Sequence, residues 1–138
     1  MIIENGQLII DNEKKMRLVK KNVVREKSFA FALRIVKLSR YLQGKRREFV
    51  LSKQLLRSGT AIAALVREAE QAESKADFIH KMAIALKEAN ETDYWIDLLY
   101  QSETIDEKEF ESIKSDAIEL LKLLTSIIKT SKTKDNVK

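Results

Sequence analysis

No proline interrupts this chain, and only three of its 138 residues are glycine. A β-sandwich or barrel needs turn chemistry about every ten residues. This sequence cannot supply it, so helices must carry the fold. Apolar residues make up 44% of the chain, enough to build the core of one domain of ordinary size. The absence of cysteine excludes disulfides, thiol nucleophiles and thiolate metal sites, and one histidine excludes a His-rich metal site or a two-His relay within a subunit.

Four segments carry helical periodicity. Asn22 is placed to cap a helix reaching residue 43, with Gly44 as its stop signal. Within it Val24, Ser28, Phe31, Ile35, Leu38 and Leu42 alternate at four- and three-residue steps, the spacing of a bundle seam. Phe29, Ala32, Leu33 and Val36 form a second stripe beside the first. Such a face is wider than one seam needs, so the helix is either central in its own bundle or meets another subunit. A second helix is expected over 48–73, with Leu51, Leu55, Ile62, Val66 and Ala69 inward. Gly59 falls in its interior, where glycine costs about 1 kcal/mol relative to alanine. A neighbouring helix crossing at close range accounts for it; a helix break is the alternative.

Ser74, followed by Asp77, reads as the cap of a third helix over 75–101, with Phe78, Met82, Ala85, Ala89, Thr92, Ile96 and Leu99 inward. Asp106 with Glu109 marks the start of the fourth, which buries Phe110, Ile113, Ala117, Leu120, Leu121, Leu124 and Ile128. The connections are short, so neighbours are antiparallel and the expected architecture is an all-α, up-down-up-down four-helix bundle over 22–130. Residues 1–21 are expected to form a hairpin around Asn5-Gly6 and a basic connector, and residues 131–138 a disordered tail. Met1-Ile2-Ile3 leading into Glu4-Asn5-Gly6 has no secretory pattern, and no apolar run nears the roughly 18 residues of a membrane span. A cytoplasmic protein is expected, with no membrane partner.

Charge is unevenly distributed. Residues 1–57 hold 15 Lys and Arg against 5 Asp and Glu, residues 58–128 hold 7 against 15, and residues 129–138 hold 4 against 1. Arg34, Lys37 and Arg40 in the first helix, Lys45, Arg46 and Arg47 after it, and Lys53 in the second are expected to form a basic end suited to phosphates. The same cations could instead dock on acidic helices of a second subunit, giving a protein-interaction scaffold.

Arg57 with Glu88 and Glu91 is the other polar constellation. The two carboxylates are three residues apart and share a helix face. They are readable as an acid–base or metal pair, or as ion-pair partners of Arg57 that set helix register. No nucleophile or phosphate loop accompanies them, so no catalytic residue, metal or cofactor is expected and an enzyme is disfavoured. Tyr94 and Trp95 suit base stacking or packing at a helix or subunit boundary, and His80 is expected to face solvent.

Three stretches carry a family resemblance. They are Leu51-Ser52-Lys53-Gln54-Leu55-Leu56-Arg57-Ser58-Gly59-Thr60-Ala61-Ile62-Ala63-Ala64, then Ser74-Lys75-Ala76-Asp77-Phe78, then Ala83-Ile84-Ala85-Leu86-Lys87-Glu88-Ala89-Asn90-Glu91-Thr92-Asp93-Tyr94-Trp95. Together they resemble bacterial four-helix-bundle proteins encoded in intervening sequences of large-subunit (23S) ribosomal RNA genes, relatives of the accessory variability determinants of diversity-generating retroelements. The resemblance spans 22–128. It departs where the family's Asn-Ile-Ala-Glu-Gly-like end of the second helix reads Leu65-Val66-Arg67-Glu68-Ala69, and in the hairpin before the bundle. It implies a homo-oligomer, commonly a pentameric ring, associated with RNA or DNA or with a partner such as a reverse transcriptase.

Overall fold

The structure, a computed structural model, describes residues 2–4, 7–9 and 12–135. Four helices follow one another: α1 (Asn12–Gly44), α2 (Leu51–Glu70), α3 (Lys75–Gln101) and α4 (Glu107–Asp135). Ahead of them, β1 (Ile2–Glu4) pairs antiparallel with β2 (Gln7–Ile9), Ile2 opposite Ile9. The Asn5-Gly6 turn expected between the strands lies outside the described residues.

Each helix packs against two neighbours in the cyclic order α1–α2–α3–α4. Side-chain links give the directions. Arg25 pairs with Glu70 while Ser39 donates to the Ser52 carbonyl, so α2 runs antiparallel to α1. Lys81–Glu68 and Arg57–Glu88 set α3 against α2. Lys27–Glu119 and Arg34–Asp116 set α4 against α1. The expected up-down-up-down bundle is the fold.

The six seam residues of α1, Val24, Ser28, Phe31, Ile35, Leu38 and Leu42, are all buried, joined by Leu55, Ile62 and Val66 of α2, Met82, Ile96 and Leu99 of α3, and Ile113, Leu120 and Leu124 of α4. The second stripe of α1 is covered only in part: Ala32 and Val36 are partly buried, while Leu33 is 48% exposed and Phe29, with the Arg67 guanidinium over its ring at 5.2 Å, is 47% exposed. Gly59 lies unbroken within α2. A Cβ there would stand 2.8 Å from both Cγ1 and Cγ2 of Ile35, so the glycine exists to let α1 approach α2.

Two helices run farther than the sequence expectation, while α2 is shorter at both ends than the expected 48–73. α1 begins at Asn12, ten residues before Asn22, which is an interior helical residue. Good helix formers such as Glu13, Lys14, Lys15 and Met16 fill the extra turns, and Lys20 donates to Ser126 of α4 at 2.9 Å. α4 likewise continues through the expected tail to Asp135, with the Ser131 hydroxyl donating to the Ile127 carbonyl and Thr133 to Lys129. Residues 136–138 of that tail lie outside the described residues.

Capping explains the remaining ends. The Ser74 hydroxyl accepts from the Asp77 N–H, and an Asp106 carboxylate oxygen accepts from the Glu109 N–H at 2.8 Å. α2 starts at Leu51 rather than residue 48 because Glu48 is spent outside it. Its carboxylate accepts from the backbone N–H groups of Val50, Leu51 and Ser52 at 3.2, 2.9 and 2.7 Å. Partial burial pushes the Glu48 carboxyl up, but these backbone donors outweigh it and hold it below its ordinary 4.5.

A folded-state value below the unfolded one stabilises the fold fully above about pH 4.5, and this is lost as pH falls through the folded value. Glu48→Gln should therefore cost about 1 kcal/mol at neutral pH in urea unfolding, with the gap to wild type closing as pH falls below 4.5 through the folded value. Gly59→Ala should destabilise by about 1–2 kcal/mol, overlap with Ile35 exceeding the gain in helix propensity. In an Ile35→Ala background the same change should be neutral or stabilising in thermal melts.

Candidate nucleic-acid interface

The seven cations expected to form one basic end are divided by the fold. Arg34 and Arg40 lie roughly 120° apart around α1, since six residues exceed one turn and a half. Arg34 turns to α4, where it pairs with Asp116 at 2.6 Å and Glu109 at 3.9 Å and donates to the Ser112 hydroxyl at 3.0 Å. It is a structural link between helices. Arg46 donates to the Glu103 carbonyl at 3.0 Å and ties the α1–α2 connection to the α3–α4 connection. Arg47 has a left-handed backbone, φ 56°, and its guanidinium lies over the Phe49 ring at 5.4 Å.

Lys37, Arg40, Lys45 and Lys53 are exposed and, among the described residues, have no hydrogen-bond or ion-pair partner. An open groove of about 1130 Å³ passes between α1 and the α3–α4 connection. Lys37 and Arg46 line it with Tyr41 and Tyr100, but so do Glu103 and Glu107. The groove is therefore mixed in charge; of the four free cations Lys37 lines it, while Arg40, Lys45 and Lys53 lie outside it.

Arg57 reaches both expected partners: it is 3.2 Å from Glu88 and pairs with Glu91. Its side chain is half exposed, so this is a surface link, not a buried one. One residue on, Thr92 donates to the Ser58 hydroxyl at 2.9 Å in the buried space between α2 and α3. Thr60 donates back to the Leu56 carbonyl at 2.7 Å. Arg57-Ser58-Gly59-Thr60 is thus a packing device: an ion pair to α3, a buried hydroxyl pair to α3, a gap for α1 and a local back-bond. Among the described residues no group of His, Asp or Glu is arranged to hold a metal ion.

Other acids of the middle of the molecule are also occupied. Lys114 pairs with Asp93 at 2.7 Å and Asp97 at 2.9 Å. Burial lowers the Lys114 pKa, but the two carboxylates more than offset it and hold the value above 10.5. Lys27 is held above the same ordinary value by its hydrogen bond to Glu119. His80 faces solvent, and Trp95 packs against the core with Tyr94 edge-on to it at 4.9 Å.

A model of the family described as 23S rRNA-intervening sequence protein matches residues 20–126 of this chain. The chain belongs to that family. Among solved structures, this family member is similar to a protein of unknown function from the S23 ribosomal protein family of Bacteroides thetaiotaomicron. The two are 59% identical with a TM-score of 0.79, over 80% of this chain and 98% of the other. A search of curated proteins finds no match. The matched residues include both halves of the α2–α3 packing device, which is why those motifs carried the resemblance. No helix among the described residues of this 23S rRNA-intervening sequence family protein is long and apolar enough to cross a membrane.

Sequence reading did not find the Glu48 cap, although a carboxylate three residues before an apolar run is its signal. It also did not find that Lys20 and Lys21 come together with Lys75 at the opposite end of the bundle. With half its side chain in solvent, Arg57→Met should cost about 1 kcal/mol or less. Urea unfolding with and without about 1 M NaCl should show that cost shrinking in salt.

Proposed function

We propose that this protein is a non-enzymatic, self-associating nucleic-acid-binding protein of the cytoplasm that holds backbone phosphates through surface cations. The observation that carries the reading is that Lys37, Arg40, Lys45 and Lys53 are exposed without partners among the described residues, while the carboxylates of the middle are engaged by Arg34, Lys27, Arg57 and Lys114. Cations left over after internal pairing are what a polyanion can neutralise. The family's name places its members within ribosomal RNA genes, which puts RNA first among candidate ligands.

Self-association is supported by the partly exposed second stripe of α1. Leu33 and Phe29, the latter shielded on one face by Arg67, are about half exposed, and Ala32 and Val36 are partly buried, a strip that a second copy would bury. A ring, five-membered by family resemblance, repeats the cations and adds avidity. The scaffold reading, in which the basic surface docks on acids of α3 and α4, is less well supported because many of those acids already have partners within the chain. A partner such as a reverse transcriptase would then contact the assembled ring.

Filter binding with single-stranded and duplex RNA should show retention at low salt that falls steeply and linearly on log axes as salt rises, with little sequence preference. No retention at the lowest salt would overturn the reading. Light scattering should give a mass several times 15.9 kDa, and Leu33→Glu should return it to that of the single chain.

A further inference from the structure

We infer that the open groove between α1 and the α3–α4 connection takes single-stranded RNA, stacks a base on Tyr41 and turns duplex RNA away. The inference rests on the nucleic-acid reading above and concerns which form of the polymer the site accepts.

Tyr41 is singled out by what does not touch it. Phe31 is buried in the core, and the Lys21 ammonium lies over Phe78. Arg67 lies over Phe29 and Arg47 over Phe49. Tyr94 packs on Trp95 and Tyr100 stacks on Phe110, with centroids 4.9 and 4.1 Å apart. Among the described residues, Tyr41 is the one exposed aromatic with neither a ring nor a cation against it; it is 49% exposed. Its backbone is held in the last turn of α1, where its carbonyl accepts from the Lys45 N–H at 2.8 Å. An open ring on a fixed backbone needs little ordering when a base stacks on it.

Free cations bracket this ring. Lys37 lies one turn before Tyr41 and Lys45 one turn after, each about 6 Å along the axis. Both are exposed without a partner among the described residues, and Lys37 also lines the groove. A strand lying along α1 keeps its phosphates on the two lysines while a base between them turns onto the ring.

The facing wall selects the form of the ligand. Glu103, Asp106, Glu107 and Glu109 line it against one cation, Lys108. The Glu103 and Glu107 carboxylates are exposed and without a partner among the described residues, so this wall stays negative. A duplex laid on α1 brings its second backbone toward those acids, and its bases are already stacked on one another. A single strand has one backbone, and its unstacked bases are free to meet an aromatic ring. The mixed charge of the groove is thus a filter for strandedness, with no demand on base identity. Its 1130 Å³ exceeds the roughly 300–1,000 Å³ of small-molecule pockets and gives room for a short strand.

The test is fluorescence anisotropy of a short labelled RNA, alone or annealed to its complement, with the full-length chain over a salt series. Circular dichroism confirms that each variant is folded. The single strand should bind several-fold more tightly than the duplex. Tyr41→Ala should weaken the single strand about tenfold without changing its salt slope or the duplex affinity, and Tyr41→Phe should bind like wild type. Lys37→Gln with Lys45→Gln should lower that slope by about 1–2. Glu103→Gln with Glu107→Gln should tighten the duplex and narrow the gap between the two forms. Tyr94→Ala, which removes an exposed ring outside the groove, should change neither. If wild type binds duplex as tightly as single strand, or Tyr41→Ala binds single strand as well as wild type, the assignment fails and the nucleic-acid reading stands. If wild type binds neither form at low salt, both fail. Tighter binding of labelled oligolysine than of RNA, lost in the double glutamine variant of the acidic wall, would likewise overturn it.

Discussion

The contact between Gly59 and Ile35 sets the spacing on which the other packing depends. Ile35 is β-branched and stiff, so it cannot swing away from a side chain placed opposite. Only glycine allows α2 to settle against it, and the helix accepts a loss of propensity for that closeness. On the neighbouring face Ser58 meets Thr92 in the dry space between α2 and α3, where an unpaired hydroxyl would be costly. One turn of α2 therefore fixes its distance to two helices at once. Arg57 adds a surface latch to Glu88 and Glu91, worth less in energy but selective for register.

The core was legible in the sequence because it obeys one rule throughout. The four-three spacing of α1 from Val24 to Leu42 names buried residues, and the same spacing names most of those in α3 and α4; Phe78, Phe110 and Leu121 are only partly buried, and Ile127 is buried without having been expected. Caps with a short side chain directly before the helix, Ser74 and Asp106, were legible for the same local reason. Helix ends that depend on a partner were not. Asn12 to Lys21 and Lys129 to Asp135 are polar and lysine-rich and have no strong periodicity, so each read as connector or tail. What extends them is their position alongside one another, a tertiary fact seen in the Lys20–Ser126 bond.

The basic site was legible in composition and not in geometry. Sequence places Arg34 among the cations of α1 but gives no sign that Asp116 and Glu109 stand across from it. It likewise gives no sign that Arg46 reaches the Glu103 carbonyl. Both arginines sit where α1 and its following loop meet the α3–α4 side. Arginine suits such posts, because its planar fork holds several acceptors at once, while the lysines and Arg40 on the outer faces keep their charge for solvent or ligand.

This division has a consequence for selectivity. A cation already bonded to a carboxylate cannot neutralise a phosphate without abandoning that bond, so its net gain is small. A cation in solvent releases only water and ions when a phosphate arrives, so on the proposed reading the exposed unpaired cations, not those engaged by carboxylates, are the ones that meet a polyanion. The free residues are mostly lysines, with no recognition helix built to enter a groove, so recognition should follow the path of the backbone rather than base identity. In the proposed assembly, specificity would then come from the spacing of sites across it. On the proposed reading the exposed Phe29 and Leu33 matter for that reason: the way copies joined there would determine how far apart the cations are held.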